Sequence, residues 1–193
     1  MKTIQEFDLE LLLWFNQFHY PWLDEIMFWL TKTVVWIPLF AFLIYLLFNV
    51  FKEKIWFPLL GVGFSLLLTD RITSGFMKPF FARLRPSQEP DLESVLHIVN
   101  GYRGGMYGFA SSHAANTMGI AFFLWLLLHK KYPKIYWLFV WSCFMGYTRL
   151  YLGVHYPGDV VVGFIVGLLS AFISFSILKY IAKRYFKQNP LAI

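Results

Sequence analysis

The stretch Thr148 to Asp159, TRLYLGVHYPGD, carries an arginine, a histidine and an aspartate at spacings that chemistry can use. His155 and Asp159 are four residues apart, so one helical turn can bring the carboxylate to the imidazole. A carboxylate on one ring nitrogen fixes the tautomer and leaves the other nitrogen free to attack or to take a proton. Two further segments have related chemistry: KPFFARLRP, from Lys78 to Pro86, and FASSH, from Phe109 to His113. Lys78, Arg85 and Arg149 are three cations able to share the charge of a phosphoryl group, and guanidinium matches its oxygens bidentately. Ser111 and Ser112 stand where a helix is expected to begin, a place where hydroxyls and free backbone N–H groups bind anions. His113 and His155 are two imidazoles that could divide nucleophile and acid roles. No Cys/His cluster, carboxylate cluster or glycine-rich nucleotide loop accompanies them, so neither a metal nor a cofactor is expected.

The elements that must position these residues are membrane helices. The 193 residues are 58% hydrophobic and 21% aromatic, and only 15% are charged, against roughly 25% in soluble domains. The deficit comes as long uncharged runs. Run 33–51 and run 160–178 are each nineteen residues without a charge, and nineteen helical residues span about 28 Å, close to the hydrocarbon thickness. Run 55–69 is expected to continue as helix through Asp70 and Arg71 towards Lys78. Run 114–128 starts just after His113, and run 135–148 extends to about Tyr151. The expectation is an all-α integral membrane bundle of about five spanning helices, forming a single domain over residues 1–193. Residues 4–18 place Phe7, Leu11, Trp14, Phe15 and Phe18 on one face with Glu6 and Asp8 pointing elsewhere, which predicts an amphipathic helix lying in the interface. Residues 22–31 are expected to lie there too, making 1–31 an interfacial segment. The acidic start, with no basic n-region, argues against a cleavable signal peptide. The single cysteine, Cys143, rules out an internal disulfide.

Five spans put all three motif segments at one end of the bundle. The opposite end collects Lys52, Lys54, Lys130, Lys131, Lys134, Lys179, Lys183, Arg184 and Lys187 against the single acid Glu53, a net of +8; the other eight cations and ten acids, net −2, complete the overall +6. The basic end is therefore expected in the cytoplasm and the motifs on the outer face. Because the basic residues flank apolar runs, the pI of 9.4 reflects topology rather than a nucleic-acid partner.

The three segments together resemble the signature of the type 2 phosphatidic acid phosphatase superfamily: Lys-x6-Arg-Pro, then Pro-Ser-Gly-His, then Ser-Arg-x5-His-x3-Asp. Lys78, Arg85 and Pro86 match the first fully. Ser111 and His113 match the second, with Ala110 for proline and Ser112 for glycine; Arg149, His155 and Asp159 match the third, with Thr148 for serine. The resemblance implies a metal-free phosphatase. It makes His155 the nucleophile that forms a phosphohistidine, Asp159 its orienter, and His113 the acid for the leaving group. Lys78, Arg85, Ser111 and Arg149 would hold the phosphate, helped by the backbone N–H of residue 112. An active site at the water boundary meets head groups while tails stay in lipid, so the implied partner is a membrane lipid phosphate or diphosphate. The texture NGYRGG…SSHAANT, within residues 100–117, is similar to family members of Gram-negative envelopes, lipid A phosphatases among them. Undecaprenyl diphosphate, phosphatidic acid and phosphatidylglycerophosphate are the alternative substrates, and the sequence carries no signal for oligomeric state.

Duller readings stand beside these. Lys78 and Arg85 could be interfacial cations, and Ser111 could simply cap a helix. Asp70, on one α-helical face with Ser74 and Lys78, is expected to position a motif cation from behind, or else to form a structural interhelical ion pair with Arg71 or another cation. Arg103 and Arg83 are expected to reach the substrate head group or to be solvated, and segment 87–110 to cover the site. A soluble vanadate-dependent haloperoxidase shares the phosphate motifs but not the apolar runs. A non-catalytic lipid-binding or transport protein would not need two histidines and Asp159 at these spacings. A lipid phosphotransferase would share the whole site.

Overall fold

The computed structural model describes residues 3–185, so Lys187, counted above among the basic flanks, lies outside the described residues. The helices are α1 (Ile4–Asn16), α2 (Pro21–Leu30), α3 (Ile37–Phe51), α4 (Trp56–Asp70), α5 (Lys78–Phe81), α6 (Ser112–Leu128), α7 (Trp137–Tyr151) and α8 (Pro157–Tyr185). Apart from one isolated bridge between Leu84 and Tyr107, no strand pairing occurs among the described residues.

α6 is the axis of the bundle. Ala114, Ala115, Gly119, Ala121, Phe123 and Leu127 are buried along it, and it packs on α4, α7 and α8. Its crossing with α8 is made by backbone. A Cβ on Gly167 would lie 2.3 Å from the Ala115 carbonyl oxygen, and one on Gly163 would lie 2.5 Å from that of Ser111. Small residues allow such approach between membrane helices, where hydrocarbon solvent gives little drive to bury larger ones. Hydroxyls add cross-links: Thr117 with Ser142 at 3.0 Å, and Ser174 donating to the Gly61 carbonyl at 2.7 Å.

The outer flanks carry Phe42, Ile44, Tyr45 and Phe48 of α3, Leu60 and Leu67 of α4, and Val161, Ile165, Leu169 and Phe172 of α8, all exposed. A continuous apolar exterior of this kind belongs against hydrocarbon. Two helical stretches, Thr33–Lys54 and Pro157–Arg184, are long and apolar enough to cross a membrane; Ser112–Leu128 is apolar but shorter. The expected count of five spans thus shrinks to two unambiguous ones. α4 and α7 are fifteen residues each, and Asp70 and Arg71 interrupt the apolar length between α4 and α5, as Arg149 does at the end of α7.

Two local features depart from the sequence-based expectation. First, a π-helix, Arg71–Met77, joins α4 to α5, and the Lys78 N–H bonds back to the Thr73 carbonyl. The wider turn changes which residues share a face. Thr69 and Thr73 are fully buried while Asp70 is exposed. Second, α1 is amphipathic, but its inner face is not a set of solvated acids. Phe7, Trp14 and Phe18 face outward, and Asp8, Leu12 and Asn16, spaced by one turn each, are buried against the bundle.

The α6–α8 crossing gives a paired test. Gly167→Ala should destabilise the protein by about 1–3 kcal/mol, the usual cost of overpacking. Gly63→Ala, where a Cβ meets nothing within 4 Å, should be neutral or stabilising by up to about 1 kcal/mol. Thermal unfolding in detergent separates the two, and equal effects would contradict the close crossing.

Candidate active site

The Arg-x5-His-x3-Asp spacing has a local structural cause. Arg149 lies in the last turn of α7, which ends in a Schellman motif: Gly153, at φ +65°, bonds back to the Leu150 carbonyl at 2.9 Å, and Val154 to that of Arg149 at 3.1 Å. His155 follows at once, and Pro157 opens α8 at a first-turn position that needs no N–H. Asp159 then falls in the first turn of α8, where a carboxylate suits the helix dipole. The chain therefore turns from cation to imidazole to carboxylate within eleven residues.

His155 Nδ1 lies 3.3 Å from Asp159 Oδ2, and its Nε2 lies 3.0 Å from Arg85 Nη1. Arginine can only donate, so Nε2 is the acceptor and the proton sits on Nδ1, facing the carboxylate. Burial, with Arg85, Arg149 and Lys78 adding to it, holds His155 well below the ordinary histidine range. It is neutral, with its Nε2 lone pair turned towards the cations. Asp159 is fully buried and also accepts the Tyr156 N–H at 3.1 Å and Arg83 Nη1 at 2.9 Å.

Arg85 is buried and donates to the Val154 carbonyl at 3.2 Å; burial and then Arg149 bring it down to about 10, still cationic at neutral pH. Arg149, 1% exposed, is held by the Thr31 hydroxyl and by Tyr102 Oη at 3.2 Å. Lys78 Nζ donates to Ser112 Oγ at 2.8 Å, and Ser112 Oγ also meets Thr73 Oγ1 at 2.8 Å and Ser74 Oγ at 2.9 Å. The Nε–H groups of Arg85 and Arg149 are buried without a hydrogen-bond partner. A lone buried donor costs about 1–3 kcal/mol, and an oxyanion between the two guanidiniums would satisfy both. Ser111 caps α6, accepting the Ala114 N–H at 3.5 Å, and its own N–H donates to the Asp159 carbonyl at 2.9 Å. His113, one residue into α6, lies within electrostatic range of His155, Arg85, Arg149 and Lys78.

The structure thus gathers Lys78, Arg85, Ser111, Ser112, His113, Arg149, His155 and Asp159 at one end of the bundle. Three expected contributors stand apart or act differently. Asp70 is exposed and makes no salt bridge among the described residues, so it acts on Lys78 only through its field; the buried Thr73 and the exposed Ser74 instead meet Ser112, the hydroxyl to which Lys78 donates. Arg103 pairs with Glu93 at 2.7 Å and bonds the Ser87 carbonyl at 3.0 Å, stapling the 87–103 loop rather than reaching the cations. Arg83 bridges two carboxylates, Asp8 at 2.7 Å and Asp159 at 2.9 Å. Asp8, Thr31, Tyr102 and Gly108 are the residues that sequence reasoning missed. Gly108 lies against the His155–Asp159 pair, where a Cβ would come 2.9 Å from Asp159 Oδ2.

A cavity of about 430 Å³ opens beside the cluster between α3, α4, α6 and α7. Thr31, His113, Asn116 and Thr117 line its polar end; Leu43, Leu47, Leu66 and Trp141 are among the apolar remainder.

Known proteins share this architecture. The sequence model of the PAP2 superfamily matches residues 58–183. A lipid A 4'-phosphatase of Bacteroides thetaiotaomicron is 36% identical over 193 residues, covering 99% of this chain and 85% of that protein. The crystal structure of Aquifex aeolicus LpxE aligns with a TM-score of 0.64 at 28% identity, over 87% of this chain and 94% of the other. That of a PAP2-type phosphatidylglycerolphosphate phosphatase from Bacillus subtilis aligns with a TM-score of 0.67 at 25% identity, over 96% and 90%.

The buried neutral imidazole predicts an acid-sensitive fold. An unfolded histidine takes up a proton near pH 6.5, whereas His155 in the folded protein does so only well below that. Below pH 6.5 the unfolded state binds the extra proton, so stability falls as pH falls, by up to about 1.4 kcal/mol per pH unit for this one group; above 6.5 its contribution is constant. Melting temperatures at pH 7.5 and 5.5 should drop further for wild type than for His155→Gln, and an equal drop would contradict the assignment.

Proposed function

This chain belongs to the PAP2 superfamily and is a lipid phosphatase, and we propose that it removes phosphate from a lipid A-type substrate through a phosphohistidine on His155. The feature that carries the proposal is His155 itself, with Nδ1–H on Asp159 and the Nε2 lone pair facing Arg85 amid Lys78 and Arg149. In the proposed reaction the phosphate lies between Arg85 and Arg149, whose unpartnered Nε–H groups donate to its oxygens, with Lys78 and Ser112 on its outer side. Nε2 attacks phosphorus as the bond to the lipid oxygen breaks. His113 gives that oxygen its proton, and Asp159 stabilises the ring charge that forms when Nε2 takes the phosphoryl group. Water then gives a proton to His113 and attacks the phosphohistidine, which releases phosphate and restores neutral His155.

One observation favours a lipid A-type substrate, and a second fits any lipid phosphate. The similarity to the Bacteroides thetaiotaomicron enzyme runs over 99% of this chain, and the apolar cavity ends at His113, where the leaving oxygen would sit and its lipid tail could continue. Phosphate release from a panel of purified lipid A, phosphatidic acid, phosphatidylglycerophosphate and undecaprenyl diphosphate in detergent, with mass spectrometry of the products, tests this directly. Preference for another lipid would remove the lipid A assignment without touching the mechanism. His155→Ala should abolish turnover. His113→Ala should slow a lipid alcohol leaving group by about 10²–10⁴ but be partly rescued on nitrophenyl phosphate, whose leaving group needs no acid. Equal losses on both substrates would argue against the acid role.

The proposal includes five spanning helices, with the cluster on the outer face of the cytoplasmic membrane. The basic residues between α3 and α4, between α6 and α7 and at the end of α8 all lie at the opposite end from the cations of the site. Single cysteines at the exposed Ser94 and Lys131, in a Cys143→Ala background, address sidedness. An impermeant thiol reagent on intact spheroplasts should label position 94 and spare 131; the reverse pattern would put the site in the cytoplasm.

A further inference from the structure

Asp8 lies in the interfacial helix α1, 150 residues from the motif it touches. Its Oδ1 accepts the Gly158 N–H at 2.7 Å, in the first turn of α8, and its Oδ2 takes Arg83 Nη2 at 2.7 Å. The carboxylate is 8% exposed as a residue. Position 158 is glycine where Asp8 arrives: a Cβ there would lie 2.9 Å from Asp8 Oδ2. Arg83 has its guanidinium over the Tyr156 ring at 3.9 Å and places its other nitrogen on Asp159 Oδ1 at 2.9 Å. A continuous chain therefore runs from Asp8 through Arg83 and Asp159 to His155.

The charges along that chain decide what Asp8 does. An arginine bound to Asp159 alone would neutralise the carboxylate that has to support the imidazole. Asp159 already acts in a cluster where Lys78, Arg85 and Arg149 disfavour any positive charge on His155. Asp8 offsets Arg83, so the Asp8–Arg83–Asp159 group retains one net negative charge, as a lone aspartate would, while Arg83 still fixes where Asp159 points. A partly buried charge pair is screened less by water than an exposed one, and Asp159, the carboxylate it acts on, is fully buried.

We propose that Asp8 is a positioning residue of the active site, whose carboxylate takes up the charge of Arg83 and leaves Asp159 to support His155 with its full negative charge. This rests on the reading of His155 as the nucleophile. Asp8 also fixes the N-terminus of α8 through Gly158, so a purely structural role must be separated from the electrostatic one.

The separation comes from charge rescue. Asp8→Asn is nearly isosteric and keeps an oxygen for the Gly158 N–H, but it leaves the Arg83 charge wholly on Asp159. Arg83→Gln added to it restores the net charge of −1 in the group without restoring the lost contacts. The full-length protein in detergent would be assayed on nitrophenyl phosphate and on bis-phosphorylated lipid A, with melting temperature and gel filtration as folding controls. The expectation for Asp8→Asn is a kcat lower by about 10- to 100-fold, the range for losing a group one contact removed from the reacting atoms, with KM within about two-fold of wild type. The double variant should recover at least part of that loss even though a second residue has been removed. Wild-type kcat in Asp8→Asn would overturn the proposal. So would a double variant no better than the single one, or a failure of both to fold, since each makes Asp8 merely structural. If Asp8→Asn alone fails to fold and the double variant folds and turns over, the charge balance is upheld. His155→Ala serves as the reference: turnover by that variant would overturn the nucleophile reading itself, an outcome distinct from every result for Asp8.

Discussion

Lys78, Arg85 and Arg149 bring three positive charges into one end of a bundle whose flanks face hydrocarbon, and their mutual repulsion is the constraint that the surrounding structure answers. Desolvating one guanidinium is costly, and placing two beside an ammonium compounds the cost. Each cation is therefore held by neutral oxygens: Arg85 by the Val154 carbonyl, Arg149 by Thr31 and Tyr102, Lys78 by Ser74 and Ser112. None of the three has a carboxylate in direct contact among the described residues. Oxygens orient a cation without cancelling its charge, which is what a site for a phosphate dianion requires. The carboxylates are set one step back, on Arg83 and on His155, where they act on the imidazole instead.

The backbone crossing of α6 and α8 belongs to the same solution. Because Gly163 and Gly167 let the two helices touch, the N-termini of both arrive at one place, and the Ser111 N–H can bond the Asp159 carbonyl directly. His113 and His155 then approach the cations from two different helix starts. A bulkier crossing would separate the helix ends and with them the two imidazoles. Packing deep in the bundle thereby sets a distance at its surface.

The parts of this arrangement written in short-range spacing were legible in the sequence. His155 and Asp159 are one helical turn apart, Gly153 and Pro157 mark the end of one helix and the start of another, and the long uncharged runs declare the bundle. Arrangements that depend on tertiary partners were not. Asp70 acts on Lys78 through its field without touching it, because the α-helical register between them is interrupted by a π-helix. Arg103 and Arg83 both read as loop cations, yet one staples a loop and the other joins two buried carboxylates. Asp8 was set aside as the polar face of an amphipathic helix. An acid opposite an apolar stripe looks solvated in a sequence, and only the fold reveals that Phe7, Trp14 and Phe18 of that stripe face outward, Phe15 packs on Tyr147, and Asp8 points inward.

That inversion bears on what the motifs alone can specify. The superfamily match begins at residue 58, yet Thr31 holds Arg149 and Asp8 reaches Gly158 and Arg83, all from the preceding helices. The motif residues supply cations, imidazoles and one aspartate. The two N-terminal helices supply the hydroxyl that orients the deepest guanidinium and the carboxylate that balances Arg83. α1 can do this because its two faces have separate partners. Phe7, Trp14 and Phe18 suit the lipid boundary, which leaves the Asp8–Leu12–Asn16 face to the bundle. α1 thus turns exposed aromatic rings outward while its polar face bonds Arg83 and Gly158 beside the site, and neither contribution is visible in the three motifs.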